Sequence, residues 1–130
     1  MCIHHALDPQ IVMIDREQLR QWTKKFALRI IKLVAAIPKN RAGDVLGRQI
    51  LKSGTSIGAN YREVLRASSR KHFLSTICIV VREADETLYW LELLSEGGIV
   101  KARRLVDLIR ECTELLAIFA RTAKSVRQSP

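Results

Sequence analysis

The chain contains few aromatic residues, prolines and glycines. Only 5% of its 130 residues are aromatic, and it has three prolines and six glycines. Strands are usually rich in aromatic and β-branched residues, and a chain that is 48% hydrophobic but only 5% aromatic favours helices over an all-β fold. The composition therefore predicts an all-α fold. A chain of this length is sufficient for one domain with a core of its own.

Cysteine patterns and long apolar runs are also missing. The three cysteines, Cys2, Cys78 and Cys112, are odd in number, widely spaced and in no CxxC pattern, which is typical of a reducing compartment. Charged residues interrupt every apolar run well before about 18 residues, and the N-terminal MCIHHALDPQ lacks the apolar core of a signal peptide. We therefore expect a soluble, cytoplasmic protein.

The sequence lacks the residue patterns of catalytic and metal sites. None of its three histidines, His4, His5 and His72, stands beside a serine or cysteine in a recognisable nucleophile context. The glycine-rich SGTSIGAN stretch is not the GxxxxGK[ST] of a phosphate-binding loop. Metal sites inside helical bundles use Glu-x-x-His pairs, which are absent here. We expect no enzymatic activity, no cofactor and no metal, although His4 and His5 could hold an adventitious ion.

What the sequence does contain is helical periodicity. Apolar residues recur at spacings of three and four in four segments, about 15–37, 44–67, 69–96 and 101–127. Asp15 and Gln18 form a candidate capping box at the first start, and Ser69 is a candidate cap for the third. Four helices of this length with short connections predict an antiparallel four-helix bundle over residues 13–127. Residues 1–12 are then an N-terminal extension, and residues 128–130 are a tail.

The second segment sorts into four faces at about 100° per residue. The apolar face comprises Leu46, Ile50, Ile57, Tyr61 and Val64. A neighbouring face carries three glycines, Gly47, Gly54 and Gly58. Glycine inside a helix costs about 1 kcal/mol relative to alanine, so this face predicts a close contact with a neighbouring helix or subunit.

The other two faces of this segment are polar. One is basic and about 27 Å long at 1.5 Å per residue, with Arg48 and Lys52 towards one end and Arg62 and Arg66 at the other. The last face is small and polar and borders the core. We predict that a structural polar network joins it to the third segment, because carboxylates in a bundle interior are usually retained with partners. Its predicted members are Asn60, Glu63, Glu83, Glu86 and Trp90.

The stretch SGTSIGANYREVLRASSRKHFL, followed by VREADETLYWLELL, resembles the four-helix bundle family of 23S ribosomal RNA intervening-sequence proteins. The matching features are Gln49, the Ser56-Ile57 pair, Asn60-x-x-Glu63, Phe73 and the Glu83-x-x-Glu86-x-x-Tyr89-Trp90 run. The resemblance implies a small cytosolic bacterial protein that assembles as a homo-oligomer, with a pentamer expected, and has no assigned enzymatic activity. A more distant likeness is to the accessory variability determinant of diversity-generating retroelements, a similar basic bundle that works with a reverse transcriptase and nucleic acid.

The charge points to a polyanionic partner. The chain has 22 basic and 13 acidic residues, a formal net charge of +9 and a pI near 10. We expect the basic face of the second segment to bind the backbone of RNA or DNA without sequence specificity, since no recognition motif and few stacking aromatics are present. The alternative is a protein-interaction scaffold with no nucleic-acid role. A third hypothesis is a membrane-surface role for the broad apolar face of the first helix.

Overall fold

A computed structural model describes residues 14–129 as four α-helices joined by short connections. We number them in chain order: α1, Arg16–Ala36; α2, Arg41–Leu65; α3, Arg70–Glu96; α4, Ala102–Gln128. Within this range there is no strand. The prediction of an all-α chain with four helices is confirmed. The predicted extension over residues 1–12 lies outside the described residues.

The helix starts follow from local hydrogen bonds. Asp15 Oδ1 accepts from the Gln18 amide at 2.8 Å, and Gln18 Oε1 accepts from the Asp15 amide at 2.9 Å, so both halves of the capping box are formed. Ser69 Oγ accepts from the His72 amide at 3.0 Å and caps α3. These side chains satisfy amides that a helix leaves without an internal partner.

Most helix ends differ from the sequence-based boundaries by one to three residues. Helix α2 begins at Arg41 rather than near Asp44, because Asn40 Oδ1 accepts from the Gly43 amide at 2.7 Å and caps it three residues earlier. Helix α4 continues one residue beyond the predicted end. At the end of α3, Gly98 has a φ of +71°, a backbone conformation that favours glycine, so the chain turns there towards α4.

Each helix packs against the next one along the chain, α1 on α2, α2 on α3 and α3 on α4. Phe26 and Ile30 of α1 and Ile50 and Ile57 of α2 are fully buried. Across the core, the rings of Tyr61 and Phe119 lie 5.2 Å apart and connect α2 to α4. The remaining large side chains that are fully buried come from α1, α3 and α4: Thr23, Ile77, Val80, Leu91, Leu94, Leu105 and Leu115.

The glycine face of α2 lies against α1. A Cβ atom at Gly54 would lie 3.0 Å from Cγ1 and Cγ2 of Ile30, and one at Gly58 would lie 3.2 Å from Oγ1 of Thr23. Gly47 leaves more room, with 3.6 Å to Cγ1 of Val34. In the single chain the close contact is therefore one between α1 and α2.

The spacing of this contact leads to opposite outcomes for two identical substitutions. Gly54→Ala should lower the free energy of unfolding by about 1–3 kcal/mol, because its new methyl group pushes against the branched Ile30 side chain. Gly47→Ala is the matched control. It should raise stability by up to about 1 kcal/mol, since the methyl group fits and alanine favours the helix. Urea unfolding followed by circular dichroism measures both, and equal gains for the two variants would contradict the packing described.

Candidate nucleic-acid interface

The basic face of α2 points to solvent. We use this name for Arg48, Lys52, Arg62 and Arg66, of which Arg62 is half-buried and the other three are exposed. It is directed outwards because the glycine face packs on α1 while Ser53, on another side of α2, contacts α3. Within residues 14–129, none of the four forms a salt bridge. Their charges are therefore available to an external anion.

The middle of this face is small and uncharged. Thr55 and Ala59 separate the two basic ends, and the Thr55 hydroxyl donates to the Leu51 carbonyl oxygen at 2.7 Å within its own helix. No bulky side chain on this face therefore stands between Lys52 and Arg62. An extended phosphate chain could lie along the ridge and contact both ends.

Carboxylates of α3 border one edge of the basic face. Burial raises the pKa of Glu83, and the nearby carboxylate of Glu86 raises it further, whereas the positive charges of Arg82 and Lys52 lower it. Lys52 thus lies within electrostatic reach of Glu83, on the neighbouring helix. The positive potential of the face is therefore reduced on the α3 side.

The structure does not join the five predicted network residues by hydrogen bonds. Asn60 Nδ2 donates to the Ser56 carbonyl oxygen at 2.9 Å, inside α2, and therefore does not reach α3. Glu63 and Glu86 are exposed to solvent. The Nε1 of Trp90 is buried and has no acceptor among the described residues.

The buried polar link between α2 and α3 is instead a pair of hydroxyls. Ser53 and Thr87 are 1% and 0% exposed, and their side-chain oxygens lie 2.9 Å apart. Thr87 also donates to the Glu83 carbonyl oxygen at 2.7 Å. Ser53 belongs to the small polar face of α2 that borders the core. The sequence alone identified that face, but it did not identify Thr87 as the partner of Ser53.

A second basic surface lies between α1 and α4. We call it the basic groove: its rim carries Arg29, Lys32 and Arg104, and its floor is apolar, formed by Leu33, Ala36, Val100 and Leu108. The side chain of Arg29 forms an ion pair with Glu111 across the two helices. Sequence reasoning missed this groove, because it depends on the distance between helices that are far apart in the chain.

The described residues offer little for metal or membrane chemistry. Between Ile14 and Ser129, no three His, Cys, Asp or Glu side chains come close enough together to hold a metal ion. None of the four helices has an apolar stretch long enough to cross a membrane. Cys112 is buried, and burial raises the pKa of its thiol to about 12.

Comparison with known proteins decides the family. The family model for the 23S rRNA-intervening sequence protein matches residues 17–121, a range that begins in α1 and ends in α4. The chain belongs to this family. Among solved structures, a similar one is the crystal structure of a protein with unknown function from the S23 ribosomal protein family from Bacteroides thetaiotaomicron VPI-5482.

The Bacteroides protein is 34% identical to this chain, with a TM-score of 0.77. The match covers 84% of this chain and 97% of the Bacteroides chain. None of the curated proteins matches this chain. The resemblance recognised from the segment around Asn60 and Glu83 is therefore confirmed. The match to a nearly whole second chain also supports the four-helix unit as the common fold of the family.

The Ser53–Thr87 pair predicts a coupled loss of stability. Thr87→Val keeps the shape but leaves the buried Ser53 hydroxyl without its partner, which should cost about 1–3 kcal/mol of unfolding free energy. Adding Ser53→Ala to Thr87→Val should recover part of that loss. A double-mutant cycle in urea measures the coupling. Additive effects would contradict a direct hydrogen bond.

The position of Lys52 beside Glu83 predicts the direction of a titration. The Glu83 carboxyl should titrate above the ordinary pKa of glutamate, and Lys52→Gln should raise its pKa further by removing a positive charge. Glu86→Gln should lower it. Since the folded-state pKa is raised, the contribution of Glu83 to stability diminishes as the pH rises through that pKa. NMR titration of the carboxyl resonance measures each shift, and no response to Lys52→Gln would place Lys52 elsewhere.

Proposed function

We propose that the chain is a non-enzymatic, basic, homo-oligomeric helical bundle that binds the phosphate backbone of RNA or DNA without sequence specificity. The observation that carries the proposal is the basic face of α2, with four cations on one solvent-exposed side of a helix and no salt bridge to them within residues 14–129. Cations arranged in this way attract polyanions through counterion release. The net charge of +9 adds long-range attraction.

The proposed protomer is an antiparallel bundle. Ile30 lies against Gly54 and Thr23 lies against Gly58, so positions fall along α1 as they rise along α2. The short connections between consecutive helices support the same direction for each pair. We propose that such protomers assemble as a pentamer in the cytoplasm, as the family resemblance implies.

Non-specific recognition agrees with the chemistry of the basic face. Arginine and lysine contact phosphate oxygens, which carry no sequence information directly. The face presents no aromatic side chain on which an unpaired base could stack, since the exposed Tyr89 belongs to α3. We therefore expect similar affinity for unrelated sequences.

The second candidate function is a protein-interaction scaffold. The observation that favours it is Tyr89, an aromatic side chain that is 52% exposed on α3, next to the half-buried Trp90. Exposed aromatic residues are typical of protein contacts. Such a scaffold would use the charge to attract an acidic partner and would show no affinity for nucleic acid.

A salt titration distinguishes the two candidates. Fluorescence anisotropy with labelled random RNA and DNA oligonucleotides should show affinity that falls steeply as salt rises. The expected log–log slope is about −0.7 to −0.9 for each phosphate neutralised. Glu substitutions at Arg48, Lys52, Arg62 and Arg66 together should weaken binding about tenfold or more and flatten the slope.

A matched variant controls for net charge. Glu substitutions at Lys101, Arg103, Arg121 and Lys124 change the charge by the same amount at four exposed positions on or beside α4. These should weaken binding less than substitutions in the basic face. Equal weakening by both variants would rule out the basic face as the site. An absence of binding at low salt would refute the nucleic-acid function and leave the scaffold.

A further inference from the structure

The outer side of α3 is acidic on an otherwise basic protein. Residues 82–96 contain five carboxylates and one arginine, whereas the rest of the chain contains 21 basic and eight acidic residues. Glu86, Glu92 and Glu96 are exposed. Two copies of a chain with this charge repel one another over most of their surface. The acidic side of α3 instead attracts the basic surface of a second copy.

Aromatic side chains lie among these carboxylates. Tyr89 is 52% exposed, and its ring centre is 5.1 Å from that of Trp90. The Nε1 of Trp90 is buried without an acceptor among the described residues, so the aromatic pair is incompletely satisfied in the single chain. We define the acidic aromatic face by residues that follow one another at helical spacing on this side of α3: Glu86, Tyr89, Trp90, Leu93 and Glu96.

The basic groove between α1 and α4 has the complementary properties. It is concave, and its floor includes Val100 and Leu108, which are 7% and 5% exposed. On its rim, Lys32 and Arg104 are exposed and form no salt bridge within residues 14–129. An apolar floor suits an aromatic side chain, and unpaired cations suit carboxylates beside it.

We infer that the acidic aromatic face of one copy docks into the basic groove of a second copy. Tyr89 then lies over the apolar floor, with Glu86 beside Arg104 and Glu96 beside Lys32. This inference rests on the proposed oligomer and names the surfaces that form it. The basic face of α2 belongs to neither surface, so it stays free to bind a polyanion.

The contact joins two different surfaces and is therefore heterologous. Each copy that docks through its acidic aromatic face still offers its own groove to another copy. Such contacts repeat until a ring closes. A closed ring has the same mass at all protein concentrations above its dissociation constant, whereas an open chain of copies lengthens as the concentration rises.

Light scattering coupled to size-exclusion chromatography tests the contact on the full chain. Wild type should show a single mass that is a multiple of 14.8 kDa and independent of concentration. Tyr89→Ser and Glu86→Arg should each shift the protein towards the monomer, with unchanged helical circular dichroism. Val106→Ser removes an equally exposed apolar side chain on α4, outside both surfaces, and should leave the mass unchanged.

A charge swap identifies the second surface. Arg104→Glu alone should dissociate the oligomer, and combining it with Glu86→Arg should restore the mass, because opposite charges again meet at every contact. A double variant that stays monomeric would overturn the assignment of the groove. A monomeric wild type, or unchanged mass in the Tyr89 and Glu86 variants, would overturn the whole inference. Dissociation by Ile31→Ser, with no effect of the Tyr89 and Glu86 variants, would do the same, since Ile31 lies on α1 outside the residues that line the groove.

Anisotropy with random RNA on the same samples separates this inference from the proposed function. Retained, salt-sensitive binding by a dissociated Tyr89→Ser variant supports backbone binding by the protomer itself. An intact oligomer that binds no nucleic acid refutes the proposed function and leaves the subunit contact standing. The tryptophan fluorescence of a Trp22→Phe background, in which Trp90 is the sole tryptophan, should change upon dissociation.

Discussion

The close approach of α1 and α2 is the contact on which the placement of every other surface depends. Gly54 lies against the branched side chain of Ile30 and Gly58 against Thr23, so the two helices approach closely because α2 contributes no side chain at these points. This contact fixes the rotation of α2 about its axis. Because the rotation is fixed, the face bearing Ser53 is directed towards α3 and the basic face towards solvent. Gly54 and Gly58 thus determine the direction of the four cations of the basic face.

The local features were predictable because they depend on neighbouring residues. Helical periodicity indicated four helices, and the capping box of Asp15 and Gln18 is formed by side chains three positions apart. The start of α2 was less predictable, since both Asn40 and Asp44 are residue types that cap helices. The choice between them depends on how the chain leaves Pro38, where the carbonyl oxygen approaches Gly43.

The candidate site was only partly predictable, for a different reason. The helical repeat of about 100° per residue placed the basic face and the glycine face on separate sides of α2, since both depend on one helix alone. Contacts between helices also depend on how far side chains reach. The Asn60 side chain forms a hydrogen bond within its own helix, whereas the Ser53 hydroxyl forms one with Thr87 on α3. The basic groove depends on helices at opposite ends of the sequence, and no local pattern indicates it.

The seam between α1 and α4 has a consequence for the dynamics of the bundle. Helix α1 packs on α2, whereas between α1 and α4 lies the basic groove, where the Arg29–Glu111 ion pair joins the two helices. Solvent-exposed ion pairs contribute little stability and are screened by salt. The bundle should therefore open first along this seam, with the amides of α1 exchanging with solvent faster than those of α3, which is enclosed between α2 and α4. A second copy bound in the groove would contact both α1 and α4 and hold them together. Assembly would therefore also reduce the opening of the protomer along this seam.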